Sequence, residues 1–246
     1  MTASQARSAL SPSGTLRAGI NYGNFLLAHR DGPGGEPRGI APDLGREIAR
    51  RLGVPVAFVA FDQAGPLADA ATEDVWDIGF LGNEPRRAAE IAFSPAYLEI
   101  PVTYLVPAGS PIRTLADVDR AGVRIAVSGE SAYDLFLSRT LTHATLVRAR
   151  GIGASYRLFV DEKLDALAGL RPRLIADAAA LRGSRVLDGQ VTGVQQSIGT
   201  PRARGEAGVS YLREFVEEAK ASGLVARLIA SHGVRGVTVA PMAPGP

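Results

Sequence analysis

Residues 77–97 read D-I-G-F-L-G-N-E-P-R-R-A-A-E-I-A-F-S-P-A-Y. An apolar strand runs into a Gly-Asn corner, continues as a short arginine-bearing helix, and leaves through an aromatic-Ser-Pro-aromatic exit. The order matters because it sets a cation and several backbone N–H groups just past the carboxyl end of a strand, the edge at which open α/β sheets receive small ligands. The stretch therefore predicts a place that holds a small anion.

Working outward, strand and helix signals alternate. Residues 16–20 read as a strand and 21–39 as a loop built on Asp31-Gly-Pro-Gly-Gly35 turn chemistry. In residues 42–53, P-D-L-G-R-E-I-A-R-R-L-G, the apolar Leu44, Ile48 and Leu52 share one helical face, Asp43 suits the first turn, and Gly53 stops the helix. The apolar run 54–61 reads as a strand buried on both faces. A helix at 64–72, a strand at 76–81, a short helix at 85–89 and a strand at 102–106 follow. After the Pro-rich crossing at 107–111 the pattern restarts. It gives a helical turn at 115–119, strands at 123–127, 145–150 and 164–168, and helices at 131–141, 154–162 and 172–181. Residues 191–198 read as a returning strand, and 209–220 and 224–231 as helices, the first with Val209, Leu212, Val216 and Ala219 on one face. The expectation is an α/β chain of two lobes, with residues 14–106 and 196–240 in one, 107–195 in the other, two connecting strands acting as hinges around a cleft, and flexible termini at 1–13 and 241–246.

Composition narrows the function classes. The chain has 246 residues, 46% hydrophobic and 21% charged, which suits a core-forming globular protein. Its 27 basic and 25 acidic side chains form no basic run of the kind that marks a nucleic-acid surface. Nearly all the basic residues are Arg, with Lys163 and Lys220 the two lysines, so an arginine gains meaning here from its position. There is no cysteine, hence no disulfide and no thiolate site, and His29, His143 and His232 are far apart in sequence. Residues 1–14 lack the apolar core of a secretory signal, and no stretch approaches the roughly 20 apolar residues that cross a bilayer. Neither a cofactor nor a metal is expected, and G-I-G-A-S-Y at 151–156 reads as a helix-start turn lacking the third glycine of a dinucleotide site.

Several segments in order resemble the type II extracytoplasmic solute-binding proteins of ABC transporters, specifically the polar-amino-acid family, bacterial extracellular solute-binding protein family 3. They are T-L-R-A-G-I at 15–20, G-I-A-P-D-L-G-R-E-I-A-R-R-L-G-V-P-V at 39–56, W-D-I-G-F at 76–80, P-R-R-A-A-E-I-A-F-S-P-A-Y at 85–97, G-V-R-I-A-V-S-G-E-S at 122–131 and L-D-A-L at 164–167. The resemblance implies a type II periplasmic-binding-protein-like fold, a monomer, a periplasmic location, a small carboxylate ligand and an ABC permease as partner. The sequence as given carries no export signal, so a cytoplasmic location is the alternative.

The resemblance also sets roles for particular residues. Arg87 matches the arginine placed against a ligand carboxylate, a task that suits the guanidinium fork, while Arg86 reads as solvated. Leu81 and Gly82 border the same point, Gly82 standing where related binders offer Ser or Thr. Asn21, Tyr22 and Phe25 follow the first strand as a polar and aromatic wall, or as an ordinary loop packed on the core. Ser128, Glu130 and Ser131 lie at a strand-to-helix junction where backbone N–H groups and a hydroxyl would meet an anion, although Ser131 equally suits a plain N-cap. Leu170 occupies the position at which amino-acid binders carry an Asp for the α-ammonium group. A ligand without an obligatory α-amino group follows, unless Glu130, Glu84 or Asp62 supplies the charge. Two further readings stay open: a cyclohexadienyl or prephenate dehydratase on the same fold, using a buried acid such as Glu130, and a cytosolic metabolite sensor.

Overall fold

The computed structural model describes residues 3–32 and 34–244. Along the chain its elements are α1 (Ala3–Leu10), β1 (Leu16–Asn21), α2 (Ile40–Leu52), β2 (Val56–Phe61), α3 (Ala64–Asp69) and β3 (Ile78–Gly82). Then come β4 (Ile91–Val106), β5 (Arg124–Ser128), α4 (Ala132–Thr140), β6 (Thr145–Ala149), α5 (Ile152–Asp161), β7 (Ala166–Leu170) and α6 (Arg171–Ala180). The chain ends with β8 (Arg185–Val186), β9 (Thr192–Pro201), α7 (Glu206–Ala221), α8 (Leu224–Ser231) and β10 (Thr238–Val239). It divides into two compact units, Met1–Glu99 with Gln195–Pro246, and Ile100–Val194. The chain changes unit inside β4 and inside β9. The first change therefore falls ahead of the expected crossing at 107–111, because Val102 to Leu105 of β4 already pair with β7.

In the first unit β1 lies between β2 and β3, parallel to both, and β3 pairs antiparallel with β9. Both faces of this sheet are covered. On one, Leu67, Ala70, Ala71, Trp76, Leu81 and Ile91 form a buried cluster, with the Trp76 indole N–H donating to the Leu67 carbonyl at 3.1 Å. The fit is close enough that a Cβ on Gly19 would come within 2.5 Å of Leu67 Cδ1. On the other, α2 lays its Leu44, Ile48 and Leu52 stripe inward, and Gly53 closes it in the left-handed conformation at φ 66°, as its spacing predicted. The strand β2 departs from expectation: it is an edge strand, with Ala57 and Ala60 exposed, so its apolar run does not reflect burial on both faces.

The 16-residue β4 is far longer than the five residues expected. Pro95 and Pro101 read as strand breakers, yet Ser94 Oγ accepts a hydrogen bond from the Ile198 N–H at 3.1 Å, so a side chain supplies part of the pairing. The termini also depart from the flexible ends expected at 1–13 and 241–246. Helix α1 buries Ala6 and Leu10 completely, and a Cβ on Gly208 of α7 would meet Leu10 Cδ2 at 2.8 Å. At the other end Lys220 Nζ donates to the Pro241 carbonyl at 2.7 Å and the Ala243 N–H donates to Glu217 at 3.2 Å. Residues 1–2 and 245–246 lie outside the described residues.

The second unit has the strand order β4-β7-β5-β6, with β8 beside β4. Its parallel trio β7, β5 and β6 packs against α5 and α6 through Leu105, Ala126, Phe159, Leu164, Leu167 and Leu174. Among the described residues no helix is long and apolar enough to cross a membrane.

Candidate ligand site

Parallel pairing brings the carboxyl ends of β1, β2 and β3 to one edge of the first unit. Asn21 and Tyr22 stand at the end of β1, Asp62 follows β2, and Gly82 ends β3. Strand β9 starts from that same edge because it runs the other way, and its register sets Gln196 opposite Gly82. The Asn83 N–H donates to the Gln195 carbonyl at 2.8 Å, after which the chain turns: the Glu84 carbonyl accepts from the N–H groups of Arg87 and Ala88 at 2.9 and 3.1 Å. This 3₁₀ turn (Arg87–Ala89) returns the Arg87 side chain toward the strand, where Nη1 donates to the Gly82 carbonyl at 2.8 Å. Arg87 is 6% exposed, whereas Arg86 faces solvent. One turn thus sorts two adjacent arginines into a buried cation and a surface charge.

The remaining residues of this edge have mixed placements. Asn21 Oδ1 accepts from the Gly23 N–H at 3.0 Å, closing a local turn. Tyr22 is half-buried with the Arg30 guanidinium 4.6 Å from its ring centre; burial raises its phenol pKa, and the positive charges of Arg30 and Arg46 oppose that rise. Phe25 is 43% exposed, and the Leu81 side chain belongs to the Trp76 cluster, so Leu81 contributes core packing to the edge. Of the three acids named as possible partners for an ammonium group, Asp62 and Glu130 are exposed and Glu84 is buried.

In the second unit Ser128 ends β5 and Leu170 ends β7, again at one edge of a parallel sheet. The junction 128–131 is occupied by the protein's own groups. The Gly129 N–H donates to the Ala149 carbonyl at 2.9 Å, the Glu130 N–H to Asp134 Oδ2 at 2.8 Å, and the Ser131 N–H to the Ser128 carbonyl at 3.3 Å. Asp134, 3% exposed, also takes Arg148 Nε at 3.0 Å, while Ser131 Oγ caps α4 by accepting from the Asp134 N–H at 3.1 Å. This corrects the expectation of N–H groups open to an anion: the buried Asp134 carboxylate takes the Glu130 N–H, and Glu130 is held at φ 59° in the left-handed region. The Ser128 and Ser131 hydroxyls bond the buried Tyr133 phenol, whose pKa burial pushes up to about 12 against the pull of those two bonds. Leu170 is 3% exposed and apolar, so β7 ends without a carboxylate.

Four residues around these strand ends did not figure in the sequence reading: Asn24, Tyr133, Asp134 and Gln196. Asp134 was recoverable, since S-A-Y-D at 131–134 is a capping pattern. Asn24 and Gln196 are 8% and 6% exposed, and neither Asn24 Oδ1 nor Gln196 Oε1 has a hydrogen-bond partner. A buried polar atom left so costs about 1–3 kcal/mol. Nothing in the sequence marked Gln196 apart from its neighbours Gln195 and Ser197. Among the described residues no cluster of three or more His, Asp or Glu side chains is placed to hold a metal ion.

Comparison with known proteins adds to this geometry. The model of the bacterial extracellular solute-binding proteins, family 3, matches residues 16–234. A mutant of ArgBP from T. maritima is 21% identical with a TM-score of 0.75, covering 92% of this chain and 98% of its own. The solute receptor for L-cysteine of Neisseria gonorrhoeae is 18% identical at a TM-score of 0.77, covering 94% and 95%. An ancestral amino-acid-binding protein, described as a precursor of cyclohexadienyl dehydratase, is 21% identical at 0.73, covering 92% and 98%.

Proposed function

The chain belongs to family 3 of the bacterial extracellular solute-binding proteins and has their two-lobed type II α/β fold, and from that premise we propose that it captures a small carboxylate-bearing molecule, an amino acid or a related organic acid, for uptake by an ABC transporter. The observation that carries the ligand class is Arg87, a buried guanidinium anchored on the Gly82 carbonyl at the carboxyl edge of the first unit. Its planar fork matches the two oxygens of a carboxylate, and such charge-assisted pairs are the strong ones. The names of the similar structures, an arginine binder and an L-cysteine receptor, agree with this class.

The burial pattern bears on whether the ligand is an amino acid. With Leu170 ending β7, an α-ammonium group finds no carboxylate there, and Asp62 and Glu130 are solvated. Glu84, buried three residues before Arg87, is the acid through which a zwitterion is admitted. The dehydratase reading called for a buried acid such as Glu130, and Glu130 is exposed. In this proposal the protein binds and releases its ligand unchanged, works outside the cytoplasmic membrane, and hands the ligand to a permease.

Native mass spectrometry of freshly purified protein, followed by calorimetric titration with matched amino-acid and organic-acid panels, tests the ligand class. A co-purified or tightly bound carboxylate is the expected result. Binding confined to uncharged or cationic compounds without a carboxyl group refutes it. Release of an aromatic product from prephenate or arogenate, followed by ultraviolet absorbance, refutes the non-catalytic assignment, and fractionation of producing cells tests the location.

A further inference from the structure

We propose that Gln196 is a ligand-recognition residue whose side-chain carbonyl accepts a hydrogen bond from a donor, hydroxyl or amino, borne on the carbon next to the carboxylate held by Arg87. The proposal rests on the carboxylate reading above and adds to it a residue and a chemical requirement.

Position comes first. Gln196 pairs with Gly82 across β9 and β3, and the Gly82 carbonyl is the anchor of the Arg87 guanidinium at 2.8 Å. Opposed residues of an antiparallel pair have Cα atoms about 4.5–5.5 Å apart, so the Gln196 amide starts from the strand position directly facing the arginine's anchor. Gly82 has no side chain, and nothing from its own position covers or satisfies that amide. A ligand whose carboxylate meets Arg87 then carries its next carbon into reach of Gln196.

The second observation is the amide itself. Gln196 Oε1 is buried and has no partner. Its neighbour Gln195 shows the contrast, with Nε2 donating to Glu99 at 2.6 Å in a purely internal bond. Two other unpaired atoms of these strands, Tyr97 Oη and Ser197 Oγ, belong to residues with no exposure at all, whereas Gln196 keeps 6% and Asn24, in the loop after β1, keeps 8%. The two amide oxygens at the carboxyl edge of the first unit are thus buried, unmet acceptors on residues that keep some exposure. A side-chain amide oxygen accepts from either an O–H or an N–H, so the shared chemistry is the donor, with Glu84 nearby for the case in which that donor is charged.

The test titrates the full chain with sets sharing one carbon skeleton: propanoate, lactate and alanine; glutarate, 2-hydroxyglutarate and glutamate; 3-phenylpropanoate, phenyllactate and phenylalanine; and 5-guanidinopentanoate, its 2-hydroxy derivative and arginine. The wild type should bind the donor-bearing members of the preferred set at least tenfold more tightly than the unsubstituted acid. Gln196→Leu should bring the three within about threefold of one another, and Arg87→Ala should weaken all three. Gln196→Asn, which keeps the amide but withdraws it by one methylene, should give the same loss of discrimination if Leu unfolds the chain. Equal binding of all three by the wild type, or discrimination retained in both variants, overturns the proposal while Arg87-dependent binding keeps the carboxylate reading intact. Failure of every acid to bind sinks both. The order of the hydroxy and amino members tells which donor the site takes.

Discussion

Removing the carboxylate of Asp77, the first residue of the stretch that fixed the fold, should destabilise the first unit by about 3 kcal/mol. Asp77 has no exposed surface. Its Oδ2 accepts from the Arg17 N–H at 2.8 Å and Arg17 Nε at 3.1 Å, and its Oδ1 accepts Arg17 Nη2 at 2.8 Å and meets Arg204 Nη2 at 2.7 Å. The pairing holds the Arg17 pKa well above its usual value, the Asp77 hydrogen bond being the largest cause. Breaking a buried ion pair from one side costs about 3–5 kcal/mol, because the stranded partner keeps its desolvation penalty. The lower end applies here: the Arg17 and Arg204 side chains keep 24% and 16% exposure, and both also pair with Asp74. At about 2–4 °C per kcal/mol for a domain of this size, the melting temperature should fall by about 6–12 °C. Asp77→Asn is the discriminating variant, since its amide N–H₂ turns donors toward guanidinium donors; it should cost as much as Asp77→Ala. Asp74→Ala, at a side chain 74% exposed, should leave the melting temperature close to that of wild type. Urea unfolding read from Trp76, the single tryptophan and part of the same unit's core, measures each variant. An Asp77→Asn protein within 1 kcal/mol of wild type would refute the ion-pair argument and leave Asp77 a matter of shape.

Other outcomes follow from the same reasoning. Arg87→Ala should weaken carboxylate binding by about 2–5 kcal/mol, as loss of one side of a buried charge pair does; calorimetric affinities unchanged within twofold would remove Arg87 from the site. Leu10→Ala should cost about 2–5 kcal/mol, since α1 is packed core, and a chemical-denaturation midpoint equal to wild type would mean that the helix is dispensable. Glu47 has its carboxyl pKa lowered to about 2 by the Arg50 hydrogen bond first and by Arg51 next. A depressed folded-state pKa gives stability that is complete above the usual 4.5 and is lost as pH falls toward 2. Glu47→Gln should therefore flatten the stability profile in that window, and parallel profiles from thermal melts at stepped pH would contradict it.

The framework was legible because local and tertiary signals agreed. Leu44, Ile48 and Leu52 share a helical face, Gly53 ends that helix, and the strand–helix alternation follows the observed element order. The errors have physical causes. Pro95 and Pro101 hid most of β4, whose pairing draws on the Ser94 side chain. The run 54–61 looked doubly buried because Val, Ala and Phe do not distinguish an edge from a centre, a distinction that belongs to the strand order. Residues 1–13 looked expendable because three of the four apolar positions in A-S-Q-A-R-S-A-L are small alanines, yet Leu10 and Ala9 of α1 lie against Gly208 of α7.

Candidate-site residues were legible in type and much less so in state. Sequence position singled out Arg87, but only the 3₁₀ turn explains why it is buried while Arg86 is not. The pattern S-G-E-S promised open N–H groups, and a residue four positions on, Asp134, already takes the Glu130 N–H with Arg148 balancing its charge. Polar sequence motifs report which groups are available to bond; whether the protein spends those bonds on itself is decided by tertiary partners such as the Ala149 carbonyl. Gln196 is the converse case. Nothing in Q-V-T-G-V-Q-Q-S-I-G separates it from Gln195, and the distinction arises when one amide finds Glu99 and the other finds no partner opposite Gly82. An unmet buried acceptor is a property of the folded unit, and a specificity residue of this kind is found by accounting for every polar atom after the strands have been placed in register.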